Sequence, residues 1–511
     1  MQDYTLKNKK GYALTEDQNE IVHALLNNSH YFNFAQTGFG KTLTTLTAAI
    51  HTHLQNKNKD IHFVILSPNS AVKAFTDTLT EQFGIPYSIY TATKTRSKSK
   101  ARFHIFNYST LGKNLFNKNK KMSNPQFEKL KELRQEHSNL YLIADEAHSL
   151  QDTATIQYKT VAAIRSWFSG MWFLTATPIL NNLEGLFHMV ELVKPGFFKN
   201  IYAFRHKFHI LEKKTIWTTT KGGRRKPINT FEVVGYKNLE LLSEKIKELG
   251  VIKAKVYDVY VHYRSTEVSE FTLNYYKQAA KGLFDGTAEN KKKSKNGNKK
   301  HAGAKLHDLQ RVVSNSHKEF KLIADPNKVS EKELLLIETI KEVLERNEAS
   351  LIYFTYLETL ERIKYILEKI KVKFRITNLH EVSGSISQAK RKLVEDNIKP
   401  RDMVLITSAG TESINLQKAN NIIFYEIPFP IREFIQGCGR ITRTNSTFDQ
   451  FNIYVLESIG TIDTYKKNRI VDNSHAIKAV IGGGDILPTK DILDIGLADK
   501  ETMKNAYLWL K

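Results

Sequence analysis

The chain has 511 residues, of which 41% are hydrophobic and 25% charged, a globular composition too long for one ordinary core. Two or three domains are therefore expected, and a disordered or fibrous chain is excluded. Lys and Arg outnumber Asp and Glu by 76 to 53, a formal +23, which draws polyanions, nucleic acid being the commonest; the alternative is a Lys-rich surface kept for solubility.

Residues Met1 to Gly11 are polar and lack the apolar core of a signal peptide. No apolar run approaches the ~20 residues that a membrane helix requires. The lone cysteine, Cys438, rules out an intrachain disulfide and suits a reducing compartment. A soluble, intracellular protein is expected.

From about Tyr12 to Phe198, short apolar runs alternate with amphipathic ones, as in a parallel α/β domain. The predicted strands are Tyr31–Ala35, His62–Ser67, Phe103–Asn107, Leu140–Ala144 and Met171–Thr175. Between the first strand and a helix predicted to start at Lys41 lies Ala35-Gln36-Thr37-Gly38-Phe39-Gly40-Lys41-Thr42, where a phosphate loop belongs. Gly38 and Gly40 let backbone N–H groups turn inward around phosphates, and the helix N-terminus adds its positive end. Lys41 would neutralise the β- and γ-phosphates of ATP, and the Thr42 hydroxyl would ligate Mg²⁺. Ala35 replaces the first glycine of the general pattern.

The strand Leu140–Ala144 ends in Asp145-Glu146-Ala147-His148. A carboxylate at such a strand end can hold Mg²⁺ and the next can orient and deprotonate the attacking water, so Asp145 is assigned to the metal and Glu146 to the water. Tyr141, Trp167, Phe168, Trp172 and Phe173 are expected to fill the core rather than stack on bases. His51-x-His53 and His206-x-x-His209 lack a Cys or an acid to complete a ligand set and are not assigned a metal.

Residues 201–325 have a different texture and are expected to form helical protrusions. Within them, 211–235 reads as a hairpin with a basic tip at Lys221-Gly222-Gly223-Arg224-Arg225, and 236–250 as a helix. Lys291–Lys300 (KKKSKNGNKK) reads as a solvated insertion, with a phosphate-tracking arm as the alternative. A second α/β stretch runs from about Asn327 to Tyr465, with strands at Ser350–Thr355, Asp402–Thr407, Asn421–Tyr425 and Phe451–Leu456 and a helix over Glu358–Ile370. It carries Gln436-Gly437-Cys438-Gly439-Arg440-Ile441-Thr442-Arg443; if that string is helical, Arg440 and Arg443 share a face and can serve as arginine fingers. The residues from 466 to 511 read as a helical tail broken by Gly482-Gly483-Gly484.

The ordered set AQTGFGKT, DEAH, LTATP, SAGTESINL and QGCGRITR resembles motifs I, II, III, V and VI of superfamily-two helicases, and within them the Swi/Snf-type double-stranded DNA translocases. Three strings are similar to that branch's own: Thr177–Glu184 followed by Lys194-Pro195-Gly196-Phe197-Phe198, Val382-Ser383-Gly384-Ser385 with Arg391 downstream, and Gly460-Thr461-Ile462-Asp463. The resemblance covers about residues 12–465. It implies two RecA-like lobes, residues 1–200 and 326–465, with nucleotide between them and nucleic acid, double-stranded DNA by analogy, as the track. It also implies that Gln18 reads adenine within a nucleotide site formed with Thr37, Gly38, Phe39, Gly40, Lys41 and Thr42, and that Gln436, Arg440 and Arg443 belong to the catalytic set. Pro68, Ser70, Tyr108, Thr355, Gly384, Ser385 and Thr407 match nucleic-acid contacts; His148, Thr175 and Thr177 match the residues that couple nucleotide state to lobe movement. The sequence departs from the family at Gly410-Thr411-Glu412-Ser413, where two glycines are lost and an acid is introduced. The absence of accessory domains points to a small phage, viral or bacterial relative acting as a monomer, in the cytoplasm or, for a eukaryotic virus, between nucleus and cytoplasm. A strand-separating or branch-migrating helicase, and an ATP-gated binding subunit of a viral transcription or restriction complex, remain as alternatives to a duplex translocase.

Overall fold

The computed structural model describes residues 2–6, 11, 13–36, 38–56, 60–69, 71–91, 94–98, 100–113, 124–176, 178–179, 183–219, 225–253, 255–274, 276–277, 309–314, 327–410, 414–428, 431–442 and 446–472. The described chain divides into two compact units, one ending at Lys255 and the other beginning at Val256. Thr37, Ser70, Thr177, Arg443, the tip at 221–224, the Lys-rich run 291–300 and the chain beyond 472 lie outside the described residues.

The first unit is built on β1 (His30–Asn33), β2 (Ile61–Ser67), β3 (Tyr87–Tyr90), β4 (Thr95–Arg96), β5 (Phe103–Asn107), β6 (Asn139–Ala144), β7 (Gly170–Leu174) and β10 (Gly250–Val251). Their order in the sheet is β10-β1-β7-β6-β2-β5-β3-β4, parallel throughout except for the β3–β4 pair. Strands β2, β5 and β7 are buried along their whole length, as expected where helices cover both faces of a parallel sheet. Separate apolar clusters form, one around Phe106, Leu142 and Phe173 and the other around Phe63, Ile65 and Trp172. Phe168, Trp172 and Phe173 are core residues, and Tyr141 and Trp167 pack against those clusters, as expected. The helix Glu16–Asn27 starts at a capping box in which Thr15 accepts from the Gln18 N–H and the Gln18 side chain accepts from the Thr15 N–H.

The predicted hairpin is present as β8 (His209–Thr219) and β9 (Arg225–Tyr236), a two-stranded antiparallel arm. Among the described residues of 201–325, Ile201–Phe208 and Leu239–Lys247 are helical, and two further strands form that the sequence reading did not place. Helix Leu239–Lys247 is followed by β10, which adds to the first sheet, and then by β11 (Asp258–Thr266), which belongs to the second unit. Val259, Val261 and Tyr263 alternate with more polar residues in β11, a period of two that a search for helices passes over.

The second unit is an all-parallel sheet in the order β11-β16-β15-β12-β14-β13, with β12 (Ser350–Phe354), β13 (Leu379–Val382), β14 (Met403–Thr407), β15 (Asn421–Phe424) and β16 (Gln450–Ser458). Helices Glu331–Glu345 and Leu357–Phe374 pack on it through Leu336, Ile340, Leu360, Ile363 and Leu367. The unit does not stop at residue 465: helix Ile462–Asp472 runs on, with Lys466 and Ile470 buried. No helix among the described residues is long and apolar enough to cross a membrane.

Candidate active site

Strand β1 ends at Asn33, and helix Lys41–Gln55 begins after Gly40. The turn needs its glycines. Gly38 and Gly40 have φ of 96° and 74°, in the left-handed region that disfavours any residue with a Cβ, and a Cβ on Gly40 would also press on Gln18 Nε2. Gly40 is the N-cap, so the loop delivers its backbone N–H groups to the positive end of a helix. Gln18 Nε2 donates to the Phe39 carbonyl at 3.3 Å, and Lys41 Nζ donates to the Ala35 carbonyl at 2.9 Å. Gln18 is thereby tied to the loop itself, and the Phe39 side chain is buried.

Strand β7 lies between β1 and β6. At the carboxyl edge of the sheet, Thr175 therefore sits between the phosphate loop, which follows β1, and the acidic string, which follows β6. The Thr175 N–H donates to the Asn33 carbonyl on one side, and its hydroxyl lies 3.4 Å from His148 Nδ1 on the other. His148 Nδ1 is also 3.2 Å from a Glu146 carboxylate oxygen. Glu146 itself holds a left-handed backbone (φ 47°), a strained conformation for a residue with a side chain. Asp145 is nearly buried, and burial, with the Glu146 charge adding, raises its carboxyl to about 7, while Lys41 and His148 oppose the rise. The hard oxygen donors of Thr42 and Asp145 are the kind that Mg²⁺ takes.

Tyr108 departs from its expected role as a nucleic-acid contact. It is buried, and its hydroxyl donates to the Asp145 carbonyl at 2.9 Å, so it braces the acidic string from within. The reason is local: Asn107 caps the short helix Tyr108–Leu111, which turns the tyrosine inward, and the Asn107 amide donates to Ser67 O. Pro68, one residue further on, is half-buried at the end of β2.

In the second unit, Thr355 and Thr407 follow or end the paired strands β12 and β14, where Phe354 faces Thr407 in register. Both threonine hydroxyls are buried, and neither has a hydrogen-bond partner among the described residues. Gly384 and Ser385 are exposed, in a loop that Arg391 pins by donating to the Ser383 and Ile386 carbonyls. The neighbouring Gly410 lies so close to β13 that a Cβ there would fall 1.9 Å from the Val382 carbonyl oxygen. Gln436 is half-buried on helix Ile431–Cys438, and Arg440 lies beyond the end of that helix, in a turn where its carbonyl accepts from the Leu416 N–H. The helix ends at Cys438, before Arg440, and Arg443 lies outside the described residues.

Residues 34–327 match the SNF2-related domain, and residues 332–445 match the helicase conserved C-terminal domain. The chain belongs to the SNF2-related family. Among its relatives is the uncharacterised ATP-dependent helicase YqhH of Bacillus subtilis, 24% identical over 375 residues, covering 68% of this chain and 61% of that protein. The SNF2-related chain thus spans about three fifths of the length of that relative. A protein of Acanthamoeba polyphaga mimivirus described as an ATP-dependent RNA helicase is 22% identical over 485 residues, 90% of each chain. The Saccharomyces cerevisiae helicase FUN30 is 22% identical over 428 residues, 70% of this chain and 37% of FUN30. The Sulfolobus solfataricus SWI2/SNF2 ATPase core in complex with double-stranded DNA is similar at 18% identity and a TM-score of 0.39, over 95% and 96% of the two chains.

Two braces in this SNF2-related chain escaped the sequence reading. One is Asn107 with Tyr108, discussed above. The other is Glu426, fully buried, which accepts from the Thr355 and Tyr356 N–H groups and the Thr359 hydroxyl and so fixes the backbone that presents Thr355. An acid in the apolar run Asn421–Ile427 was the available signal, because a buried carboxylate is tolerated only where donors converge on it.

Proposed function

We propose that the chain hydrolyses ATP and uses the cycle to move along double-stranded DNA. The observation that carries the reading is the position of Thr175, one strand from the phosphate loop and one from Glu146–His148, in contact with both neighbours. ATP phosphates would take the N–H groups of the turn ending at Lys41, whose ammonium exchanges the Ala35 carbonyl for phosphate oxygen. Glu146 would accept the proton of the attacking water. As it does so, its hold on His148 weakens, and His148 shares the same nitrogen with Thr175. Loss of the γ-phosphate would thus be felt at the end of β7. Thr42 and Asp145 would hold Mg²⁺, which when bound neutralises charge on the β- and γ-phosphates. The Thr355 and Thr407 hydroxyls, with Pro68, Ser70, Gly384 and Ser385, are the proposed grip on the phosphate backbone, and the +23 net charge favours that polyanion. Arg440, Arg443 and Gln436 are proposed to act in hydrolysis.

The test is ATP turnover by the full chain with duplex DNA, single-stranded DNA and RNA in parallel, beside triplex displacement on duplex DNA. Duplex-stimulated hydrolysis with triplex displacement and no strand separation is expected. Stimulation by RNA alone, or separation of a plain duplex, would overturn the duplex-translocase reading.

A further inference from the structure

At the opposite, amino edge of the first sheet, three side chains converge that the ATP chemistry does not use. Asp60 precedes β2, His62 lies in β2, and His137 caps the C-terminus of helix Pro125–Glu136 ahead of β6. Asp60 Oδ1 is 3.2 Å from His62 Nε2, and Asp60 Oδ2 is 2.5 Å from His137 Nδ1. The two imidazoles stack with centroids 3.6 Å apart and planes 16° apart, so both rings turn a nitrogen toward the same carboxylate. One donor atom from each of the three residues lies within 4.8 Å of the other two.

We propose that Asp60, His62 and His137 bind one divalent transition-metal ion of the Zn²⁺ class, joining the start of β2 to the end of helix Pro125–Glu136. Two imidazole nitrogens and one carboxylate oxygen are a borderline-soft donor set, which selects Zn²⁺ or Co²⁺ over Mg²⁺. Ligand atoms around a tetrahedral ion at ~2.0–2.1 Å lie roughly 3.3 Å from one another, so the Asp60–His62 separation already suits it; the Asp60–His137 separation has to open, and the stacked imidazoles have to rotate so that their in-plane lone pairs meet at one ion. A second residue orients the first. His62 Nδ1 is 2.9 Å from Nε2 of the buried His104, so with Nδ1–H donating to His104 the Nε2 lone pair of His62 faces the ion. The carboxylate of Asp60 is half exposed, which leaves an entry path. Its present partner Arg102 Nη1, at 2.8 Å, also lies 3.4 Å from the Ile61 carbonyl and keeps that acceptor when the carboxylate turns to a metal.

The experiment is a titration of the full, metal-stripped chain with Co²⁺, read by visible absorption, followed by Zn²⁺ displacement. One Co²⁺ per chain with the intense bands of a four- or five-coordinate ion is expected, displaced by Zn²⁺ and not by millimolar Mg²⁺. His137→Gln and His62→Asn should each abolish the bands, and His104→Phe, by removing the orienting partner, should weaken binding about tenfold or more. Melting in EDTA checks that each variant is folded. Absence of a Co²⁺ spectrum in the wild-type chain, or bands that survive in folded His137→Gln, would overturn the site; duplex-stimulated ATP turnover, measured separately, tests the motor reading alone.

Discussion

The carboxyl edges of the two sheets carry opposite chemistry. In the first unit the edge is ionisable: Lys41, Asp145, Glu146 and His148 cluster there, each held by a named neighbour. In the second, the edge at β12 and β14 carries neutral, buried hydroxyls without partners among the described residues, and its acid, Glu426, is turned inward and saturated by three donors. Under the proposed function, magnitudes account for the division. Splitting a phosphoanhydride needs charge placed where charge develops, worth several powers of ten in rate. Holding a repeating backbone needs contacts that can be broken at every step, and a hydrogen bond between neutral groups is worth only about 0.5–1.5 kcal/mol.

The sharpest way to break this comparison is to remove charge from the first edge. Lys41→Ala and Glu146→Gln should each lower duplex-stimulated ATP turnover by roughly 10²–10⁴-fold, the range for loss of a positioned acid, base or phosphate clamp, with melting temperature little changed. Turnover retained within a few-fold in either variant would remove the ionisable edge from the chemistry. Next in size is Gly410→Ala in the second unit. Its Cβ would meet the Val382 carbonyl, so Gly410 and β13 must separate, at an overpacking cost of about 1–3 kcal/mol seen in a denaturant midpoint. Because the strain falls on the loop beside Ser383–Ser385, DNA stimulation should drop while basal hydrolysis persists; equal loss of both would mean that the second edge does more than grip.

A smaller effect is expected from Thr355→Val with Thr407→Val. Each exchange keeps the shape and deletes a hydroxyl that the described protein does not use, so folding should be unharmed or slightly firmer. Duplex affinity, measured by fluorescence anisotropy at fixed salt, should fall about five- to thirty-fold for the pair, equivalent to roughly 1–2 kcal/mol. Unchanged affinity would mean that the hydroxyls face something other than phosphate.

Much of this contrast is legible in the amino-acid sequence. The phosphate loop, the acidic string and the strands that carry them follow from local patterns: glycines where φ must turn positive, and apolar runs that end in charge. What could not be read depends on contacts between distant segments. Tyr108 looks like any loop aromatic until its hydroxyl is found on Asp145, 37 residues away. The donors that satisfy Glu426 come from residues about seventy positions earlier. Strand β10 is two residues long and exists only because β1 offers it an edge, so no periodicity could announce it. Asp60, His62 and His137 do not share one local string; the closely spaced pair His51-x-His53 is not assigned a metal, and His51 Nε2 is bonded to the Tyr4 carbonyl.

The effect expected to be smallest on turnover and DNA binding is a control that should move stability and leave both edges untouched. His209 opens β8 in the first unit; it is buried between Phe204 and Tyr236, and neither ring nitrogen has a hydrogen-bond partner among the described residues. Burial lowers its imidazole from 6.5 to about 4, with Glu184 opposing. Above pH 6.5 the ring is neutral in both folded and unfolded chains and stability is unaffected by it. As pH falls from 6.5 toward 4 the unfolded chain takes up a proton that the folded one refuses, so stability is lost, at most about 1.4 kcal/mol per pH unit for one such group. His209→Phe keeps the ring packing, removes an unsatisfied polar group and deletes one proton from that slope. Urea unfolding at pH 7 and pH 5 should show the variant at least as stable as the wild type at pH 7 and more clearly so at pH 5, with ATP turnover at pH 7 unchanged. A wild-type acid slope preserved in the variant would place the lost protons elsewhere, with His62 and His104, whose imidazoles burial lowers to about 4 and about 3, next in line.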